Sequence, residues 1–219
     1  MTAIVPAYNE ADYIGETLAA LETAGCFSEI IVVDDGSRDA TAHIARKYAR
    51  VIRHPENRGK GDAIATGMAH ATTPVVCWVD ADLGKTAKYI RHLLPPVLEG
   101  EADMTIAQFP PSRSREGFGI VVKTASWGIY CLTGQKVMAP LSGQRAMRRD
   151  IFASIRRFPR RFGLEVGITV QLLRSGYRLK EVPLPLSHRH LGRTWRGMVH
   201  RGREWKDVVQ TLWELYRQA

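Results

Sequence analysis

Cysteine is scarce in this chain of 219 residues, and its scarcity excludes two classes of protein. Cys26, Cys77 and Cys131 are odd in number and far apart, so they form neither a disulfide framework nor the paired spacing of a cysteine metal site. No apolar run approaches the ~20 residues that a membrane-spanning helix needs. Residues 1–6 also lack the basic and apolar regions of a signal peptide. The expected compartment is therefore a reducing cytoplasm.

The loop after the first apolar run lacks glycine. A dinucleotide-binding oxidoreductase needs Gly-x-Gly-x-x-Gly at this point, whereas Pro6-Ala7-Tyr8-Asn9-Glu10 stands there. The loop also lacks the glycines and arginines with which a sugar-phosphate nucleotidyltransferase would hold a triphosphate. The chain has no internal repeat and no low-complexity tract. These absences argue against an oxidoreductase and leave a nucleotidyltransferase as a weaker alternative.

Positive charge is concentrated in the last third of the chain. Residues 1–144 hold 14 Lys and Arg against 16 Asp and Glu, a net charge of −2. Residues 145–219 hold 17 against 6, a net charge of +11, which brings the whole chain to +9. Such a concentration indicates an anionic partner, namely a phosphorylated acceptor, an anionic membrane surface or a nucleic acid. A solvated basic face with no partner is the plainer alternative.

Short apolar runs alternate with amphipathic segments along the first 108 residues. Strands are predicted at 2–5, 30–33, 51–54, 75–79 and 103–108. Helices are predicted at 12–24, 40–49, 63–70 and 83–98, the last of them interrupted by Pro95 and Pro96. This order is typical of a doubly wound α/β fold with a mostly parallel sheet flanked by helices.

The remainder of the chain is less regular. Helices are predicted at 120–132, 150–155, 163–175 and 205–216, and a strand at 177–186, and no helix or strand is predicted for 140–146. We divide the single predicted domain into a first half at 1–108, a second half at 109–190 and a basic, amphipathic C-terminal segment at 191–219.

Two carboxylates stand directly after the most apolar strand. Residues 75–79 lead into Asp80-Ala81-Asp82, and ligands of open α/β sheets bind at the carboxyl ends of the strands. Hard oxygen ligands in this place suit a divalent cation, and such a cation suits a phosphorylated ligand. Asp-x-Asp alone is a weak signal, because an acidic turn also ends many strands.

Four motifs together resemble the GT-A nucleotide-sugar glycosyltransferases, especially those of family 2. They are Val5 to Glu10, Val33 to Thr41, Arg58 to Gly61 and Asp80 to Asp82, which occur in the family's order across about 80 residues. The stretches 140–144, 163–167 and 187–189 resemble glucosyl-3-phosphoglycerate synthases, and shorter parts resemble dolichyl-phosphate mannose synthase-like polyprenyl-phosphate transferases. The resemblance implies a GT-A, Rossmann-like fold with a central mostly parallel, mixed sheet.

The resemblance also implies roles for residues of the first half. The donor would be a UDP- or GDP-linked sugar, and its diphosphate gains negative charge as the sugar departs. Lys60 and an Mn²⁺ or Mg²⁺ ion held by Asp82 would stabilise that charge. The implied donor-binding residues are Pro6, Ala7, Tyr8, Glu10, Asp35, Lys60, Asp80 and Ala81.

In the second half, the resemblance makes His188 the third metal ligand, with His190 as its competitor. Glu165 is the candidate catalytic carboxylate. It would be the base if the enzyme inverts configuration, would hold sugar hydroxyls if the enzyme retains it, and would not be needed as a base for an ionised phosphate acceptor. The candidate acceptor-binding residues are Ser142, Gly143, Gln144, Arg145, Arg193 and Arg196.

The sequence therefore predicts a metal-dependent hexosyltransferase with a phosphorylated acceptor, either 3-phosphoglycerate-like or a polyprenyl phosphate. The aromatic stripe of residues 205–216 is more typical of core packing, but beside its basic neighbours it leaves open a peripheral contact with the inner face of an anionic membrane. A basic nucleic-acid-binding protein without enzyme activity is the competing class, although no nucleic acid is expected. A homodimer remains open.

Overall fold

The computed structural model describes residues 1–110, 118–156, 158, 163–187 and 195–217. For residues 118 and 195–203 it describes only the helical backbone. The strands are β1 (Thr2–Ala7), β2 (Glu29–Asp34), β3 (Arg50–Arg53), β4 (Val75–Trp78), β5 (Met104–Gln108), β6 (Arg145–Arg148) and β7 (Leu179–Pro183). The α-helices are α1 (Ile14–Ala24), α2 (Thr41–Ala45), α3 (Lys60–His70), α4 (Pro95–Leu98), α5 (Phe118–Thr133), α6 (Leu164–Arg174) and α7 (Trp195–Tyr216). Among the described residues, 3₁₀ helices span Gly84–Leu93 and Asp150–Ser154.

The strands form one mixed sheet in the order β3-β2-β1-β4-β6-β5-β7. All neighbours pair in parallel except β6, which is antiparallel to both β4 and β5. Side chains alternate between two buried clusters. Ile4 faces one that includes α3, α5, α6 and α7, whereas Ala3 and Val5 face the other, which includes α1 and the first 3₁₀ helix. The predicted mostly parallel, mixed sheet with helices on its faces is confirmed.

Several local predictions were wrong. Strand β6 was not predicted, because a four-residue strand that begins and ends with arginine carries no apolar alternation. The helix expected at 83–98 is a 3₁₀ helix followed by α4, which begins at Pro95, a residue without the N–H that would continue a helix. Strand β1 continues through Pro6 because β4 stops pairing with β1 at Ile4, so no neighbour requires the missing N–H there.

Helices α5 and α7 pack side by side. A Cβ added at Gly128 would lie 2.3 Å from Leu212 Cδ1, so the two helices are in direct contact. Arg174, at the end of α6, donates from Nη1 to Leu215 O at 2.9 Å and from Nε to Leu132 O at 3.3 Å. One guanidinium thus caps the carboxyl ends of both helices. None of the helices in the described part of the chain combines the length and the apolar character required to cross a membrane.

An ionic cluster around Asp103 joins β5, β6 and β7 at the edge opposite the candidate site. The Asp103 carboxylate accepts the Arg178 N–H at 2.8 Å and lies 3.3 Å from the guanidinium groups of Arg148 and Arg178. Burial alone would raise the pKa of Asp103, but the Arg178 N–H and the two arginines outweigh burial and lower it below its ordinary value.

We predict that Asp103 makes the free energy of unfolding fall in acid. Because its pKa is lower in the folded state, the unfolded chain binds the proton first, and stability is lost as pH falls below about 4. Asp103→Asn should flatten this dependence in urea unfolding measured across a pH series, whereas Asp12→Asn, at an exposed carboxylate, should not. Equal pH dependence in Asp103→Asn and the unchanged protein would contradict the assignment.

Candidate functional site

The candidate site lies where the chain reverses its direction across the sheet. From β1 the chain builds β2 and β3 on one side, and β4 then pairs with the other side of β1. In open α/β sheets such a switch point leaves a crevice at the carboxyl ends of the two central strands. Pro6 and Ala7 end β1, residues 8–10 follow it, and the turn of residues 80–82 follows β4, so these residues border the crevice.

A cleft of 290 Å³ occupies the crevice. It is lined by Pro6, Ala7, Tyr8, Glu10, Asp35, Asn57, Lys60, Ala63, Asp80, Ala81 and Asp82. The structure thus brings together all eight predicted donor-binding residues and the predicted metal ligand Asp82. Asn57 and Ala63 were missed, although Asn57 directly precedes the Arg58 to Gly61 motif, which was a usable signal.

Asp35 supports the loop that leads to Lys60. Its buried carboxylate accepts the N–H groups of Arg58 at 3.0 Å and Gly59 at 2.7 Å, and His54 Nδ1 lies 2.7 Å from Oδ1. His54 Nε2 lies 2.9 Å from Thr66 Oγ1, which ties this group to α3. These bonds fix the start of α3 beside the cleft.

Lys60 joins the two halves of the chain within the site. Its Nζ lies 2.8 Å from Asp80 Oδ1 and 3.0 Å from Glu165 Oε1, while about a third of its side chain stays exposed. Burial alone would lower the pKa of Lys60, but Asp80 and Glu165 outweigh it and raise the pKa above its usual value. The ammonium is therefore charged at neutral pH and faces the cleft.

The turn that carries the two aspartates is held by Thr17 of α1. Thr17 Oγ1 is fully buried, donates to Ala81 O at 2.7 Å and accepts the Gly84 N–H at 2.9 Å. Gly84 has φ +52°, a left-handed conformation that glycine adopts readily. One hydroxyl thus forms hydrogen bonds with backbone groups on both sides of Asp82.

We predict that Thr17→Val lowers the free energy of unfolding by about 1–3 kcal/mol, because the isosteric change leaves buried backbone groups of the turn without partners. Thr23→Val is the matched control, since the Thr23 hydroxyl lies on the exposed side of the same helix. Chemical denaturation of the two variants measures the difference. A loss equal to that of Thr23→Val would show that the turn does not depend on Thr17.

Three carboxylate residues line the cleft, namely Glu10, Asp80 and Asp82. Within 1–110, 118–156, 158, 163–187 and 195–217, no three His, Cys, Asp or Glu side chains form a group able to hold a metal ion. Mg²⁺ does not require such a group, because it is usually bound through one or two carboxylates together with substrate phosphates and water. These residues therefore fit a cation that Asp82 holds jointly with a phosphorylated ligand.

The predicted acceptor residues do not all face the cleft. Arg145 is fully buried, and its guanidinium donates to Ser142 O at 3.0 Å and to Thr169 Oγ1 at 2.9 Å. Burial lowers the pKa of Arg145 to about 10, with Glu165 and Glu181 acting in the opposite direction. The assignment of Arg145 to acceptor binding was wrong, because its side chain supports the loop from inside the protein.

The other candidates of the second half differ in what the structure describes. Gly143 and Gln144 contact Lys60 and Asp80. His188, His190 and Arg193 lie outside the described residues, and Arg196 belongs to α7, of which only the backbone is described at that position.

Comparisons with known proteins identify the family. The model of glycosyl transferase family 2 matches residues 2–158. The protein MJ1222 of Methanocaldococcus jannaschii is 33% identical over 192 residues, which cover 83% of this chain and 79% of that protein. A dolichyl-phosphate hexose transferase of Haloferax volcanii is 28% identical over 195 residues, covering 86% and 83%.

A crystal structure of glucosyl-3-phosphoglycerate synthase from Mycobacterium tuberculosis has the same fold, with a TM-score of 0.83 at 24% identity over 98% of this chain and 79% of that chain. The GT-A fold implied by the four motifs is thereby confirmed. The family match also favours an enzyme over the nucleic-acid-binding alternative. With most of its length matched by the family model, the chain belongs to glycosyl transferase family 2 and is a glycosyltransferase.

Proposed function

We propose that the protein transfers a hexose from a UDP- or GDP-sugar to a phosphorylated acceptor with the help of Mn²⁺ or Mg²⁺. The observation that carries this proposal is the cleft at the β1 and β4 ends, where Lys60 and Asp82 meet the residues predicted to bind the donor. The solved synthase of M. tuberculosis supports it, since its complexes contain Mg²⁺ and uridine diphosphate, or Mn²⁺, uridine diphosphate and glucosyl-3-phosphoglycerate.

In this proposal the cleft orients the donor and stabilises its leaving group. The loop of residues 6–10 and Asp35 would hold the nucleoside, and the Lys60 ammonium would lie against the diphosphate, where negative charge grows as the sugar departs. The metal ion supplies Lewis acidity at the diphosphate oxygens. Asp82 would hold that ion, with His188 as the proposed third ligand and His190 as its competitor.

Glu165 reaches the site from the second half of the chain. Its carboxylate is 13% exposed and paired with Lys60. An ionised phosphate acceptor needs no general base, so with such an acceptor Glu165 would position Lys60 and hold sugar hydroxyls. With a hydroxyl acceptor and inversion of configuration, it would take the acceptor's proton. Of the remaining candidates, Ser142, Arg193 and Arg196 are proposed to bind the acceptor phosphate.

We favour a polyprenyl phosphate as the acceptor because of an exposed apolar surface on α5 and α7. This surface, the aromatic face, consists of Ile120, Trp127, Trp205, Val209, Trp213 and Tyr216, which are 36–69% exposed. Exposed Lys123, Lys206 and Arg217 lie on the same two helices or directly after them. Exposed tryptophan and tyrosine beside cations are typical of surfaces that dock on anionic bilayers, where such an acceptor is dissolved. The name of the Haloferax relative supports the same acceptor class.

The donor is tested by thermal unfolding in a panel of nucleotides and nucleotide sugars with Mn²⁺. A ligand present at 100 times its dissociation constant adds about 2.7 kcal/mol to the stability of the folded state. A UDP or GDP ligand that binds should therefore raise the Tm clearly. No shift with any nucleotide, together with a salt-dependent mobility shift of DNA, would support the nucleic-acid-binding alternative instead.

The acceptor is tested by transfer of labelled sugar to polyprenyl phosphate in anionic vesicles, compared with transfer to 3-phosphoglycerate in solution. Transfer to 3-phosphoglycerate alone would assign the smaller acceptor.

Binding of the protein to the vesicles is tested by cosedimentation. It should weaken in Trp127→Ser and Trp213→Ser but not in Leu98→Ser, at an exposed apolar residue outside the aromatic face. A dimer that dissociates in the tryptophan variants would assign the aromatic face to a second copy of the chain.

A further inference from the structure

The Gln144 side chain is fully buried and makes two hydrogen bonds to the same residue. Its Oε1 accepts the backbone N–H of Asp80 at 2.8 Å, and its Nε2 donates to Asp80 Oδ2 at 2.5 Å. Gln144 directly precedes β6, and Asp80 lies two residues after the end of β4. The residue before the antiparallel strand β6 thus carries one side-chain amide that fixes both the backbone N–H and the carboxylate of Asp80.

The two oxygens of Asp80 have different partners. Oδ1 lies 2.8 Å from Lys60 Nζ, and Oδ2 accepts from Gln144. A carboxamide suits residue 144 because it can donate to Asp80 Oδ2 and accept the Asp80 N–H without adding charge. The Lys60 ammonium already pairs with the carboxylates of Asp80 and Glu165. An added carboxylate here would repel Asp80, and an added cation could not accept the Asp80 N–H.

Gly143 brings this amide into reach. A Cβ at residue 143 would lie 2.4 Å from Lys60 Nζ and 2.8 Å from Asp80 Oδ2, closer than non-bonded atoms approach. The chain at residue 143 therefore passes directly against the Lys60–Asp80 pair. This placement differs from the expected role of Gly143 and Gln144 in the acceptor loop, since the contacts of both residues are with groups on the donor side.

We propose that Gln144 is a positioning residue of the donor site. By fixing Asp80, it holds the Lys60 ammonium at the place where the charge of the departing diphosphate develops. This inference rests on the proposed function for the identity of the donor. The contact between Gln144 and Asp80 can nevertheless be tested without any turnover.

The test compares Gln144→Met with Gln144→Glu. Methionine has a similar volume but replaces neither hydrogen bond, so we expect the Asp80 amide proton to exchange at least about tenfold faster. Glutamate retains an acceptor for that N–H, so its protection should persist, but glutamate replaces the donor to Oδ2 with a charge that repels the Asp80 carboxylate. In both variants kcat should fall about 10–100-fold, a loss typical of removing a group that orients a functional residue, while the acceptor KM stays within about twofold. Gln135→Met and Gln135→Glu, at an exposed residue, are the matched controls.

Each result either supports or overturns the role of Gln144 as a positioning residue. If Gln144→Met does not fold, the kcat and acceptor KM of Gln144→Glu decide it. Unchanged kcat in Gln144→Glu, or a loss that appears mainly in the acceptor KM, would overturn the inference and return the residue to the acceptor loop. Altered amide exchange in a protein that transfers no sugar from UDP or GDP donors would refute the proposed function and leave the contact standing.

Discussion

Asp82→Ala is expected to lower kcat by about 10³-fold or more and to remove the dependence of activity on Mn²⁺. The carboxylate is half-buried on the wall of the cleft, in a turn that Thr17 holds in place. Lewis-acid stabilisation of a leaving diphosphate is worth several kcal/mol, which corresponds to a loss of this size. The measurements are transfer rates after chelation and on readdition of Mn²⁺, and Mn²⁺-dependent binding of UDP or GDP.

Asp62→Ala is the control for this variant. Asp62 is an exposed carboxylate in the first turn of α3 and does not line the cleft. Its replacement should leave the response to Mn²⁺ intact. Unchanged turnover in Asp82→Ala would show that the cation, if one is used, is held elsewhere.

Lys60→Met is expected to lower kcat by about 10²–10³-fold, the loss typical of removing one preorganised group that stabilises developing charge. The methionine side chain replaces the apolar stem of the lysine but carries no ammonium, so Asp80 and Glu165 lose the cation that they share. Steady-state kinetics with the donor varied should place most of the loss in kcat. Circular dichroism and thermal unfolding check that the variant still folds.

Lys180→Met is the matched control, because Lys180 is a half-exposed lysine of β7 that pairs with Glu101 away from the cleft. It should retain the activity of the unchanged protein. A Lys60→Met enzyme with normal kcat and a raised donor KM would show that Lys60 contributes only binding that is uniform between substrate and transition state.

The part of the site that the sequence predicted well is local in the chain. Pro6 to Glu10 lie at the end of β1 or just after it, Asp80 to Asp82 lie just after β4, and Lys60 begins α3. Parallel strands present those ends at one edge of the sheet. Apolar runs such as Val75 to Trp78 mark such strands without knowledge of their partners. For this reason all eight residues expected to bind the donor lie around one cleft.

The part that was missed depends on pairing between distant segments. Strand β6 inserts between β4 and β5, and nothing in Arg145 to Arg148 marks it as the centre of a sheet. The buried position of Arg145 and the contact of Gln144 with Asp80 follow from that insertion. The resemblance to the family's acceptor loop assigned both residues to the acceptor, and a local motif carries no information on which side chains a later strand pairing buries.

The position of β6 has a consequence for synthesis of the chain. A ribosome completes β4 and its aspartates almost seventy residues before it adds β6, the strand that pairs with the far edge of β4. Until then the nascent sheet presents an unpaired apolar edge, which favours association with other chains. The residues that line the cleft are thus made early, but Gln144, which holds Asp80 in place, is made late. A fragment that stops at residue 108 should aggregate rather than bind nucleotide.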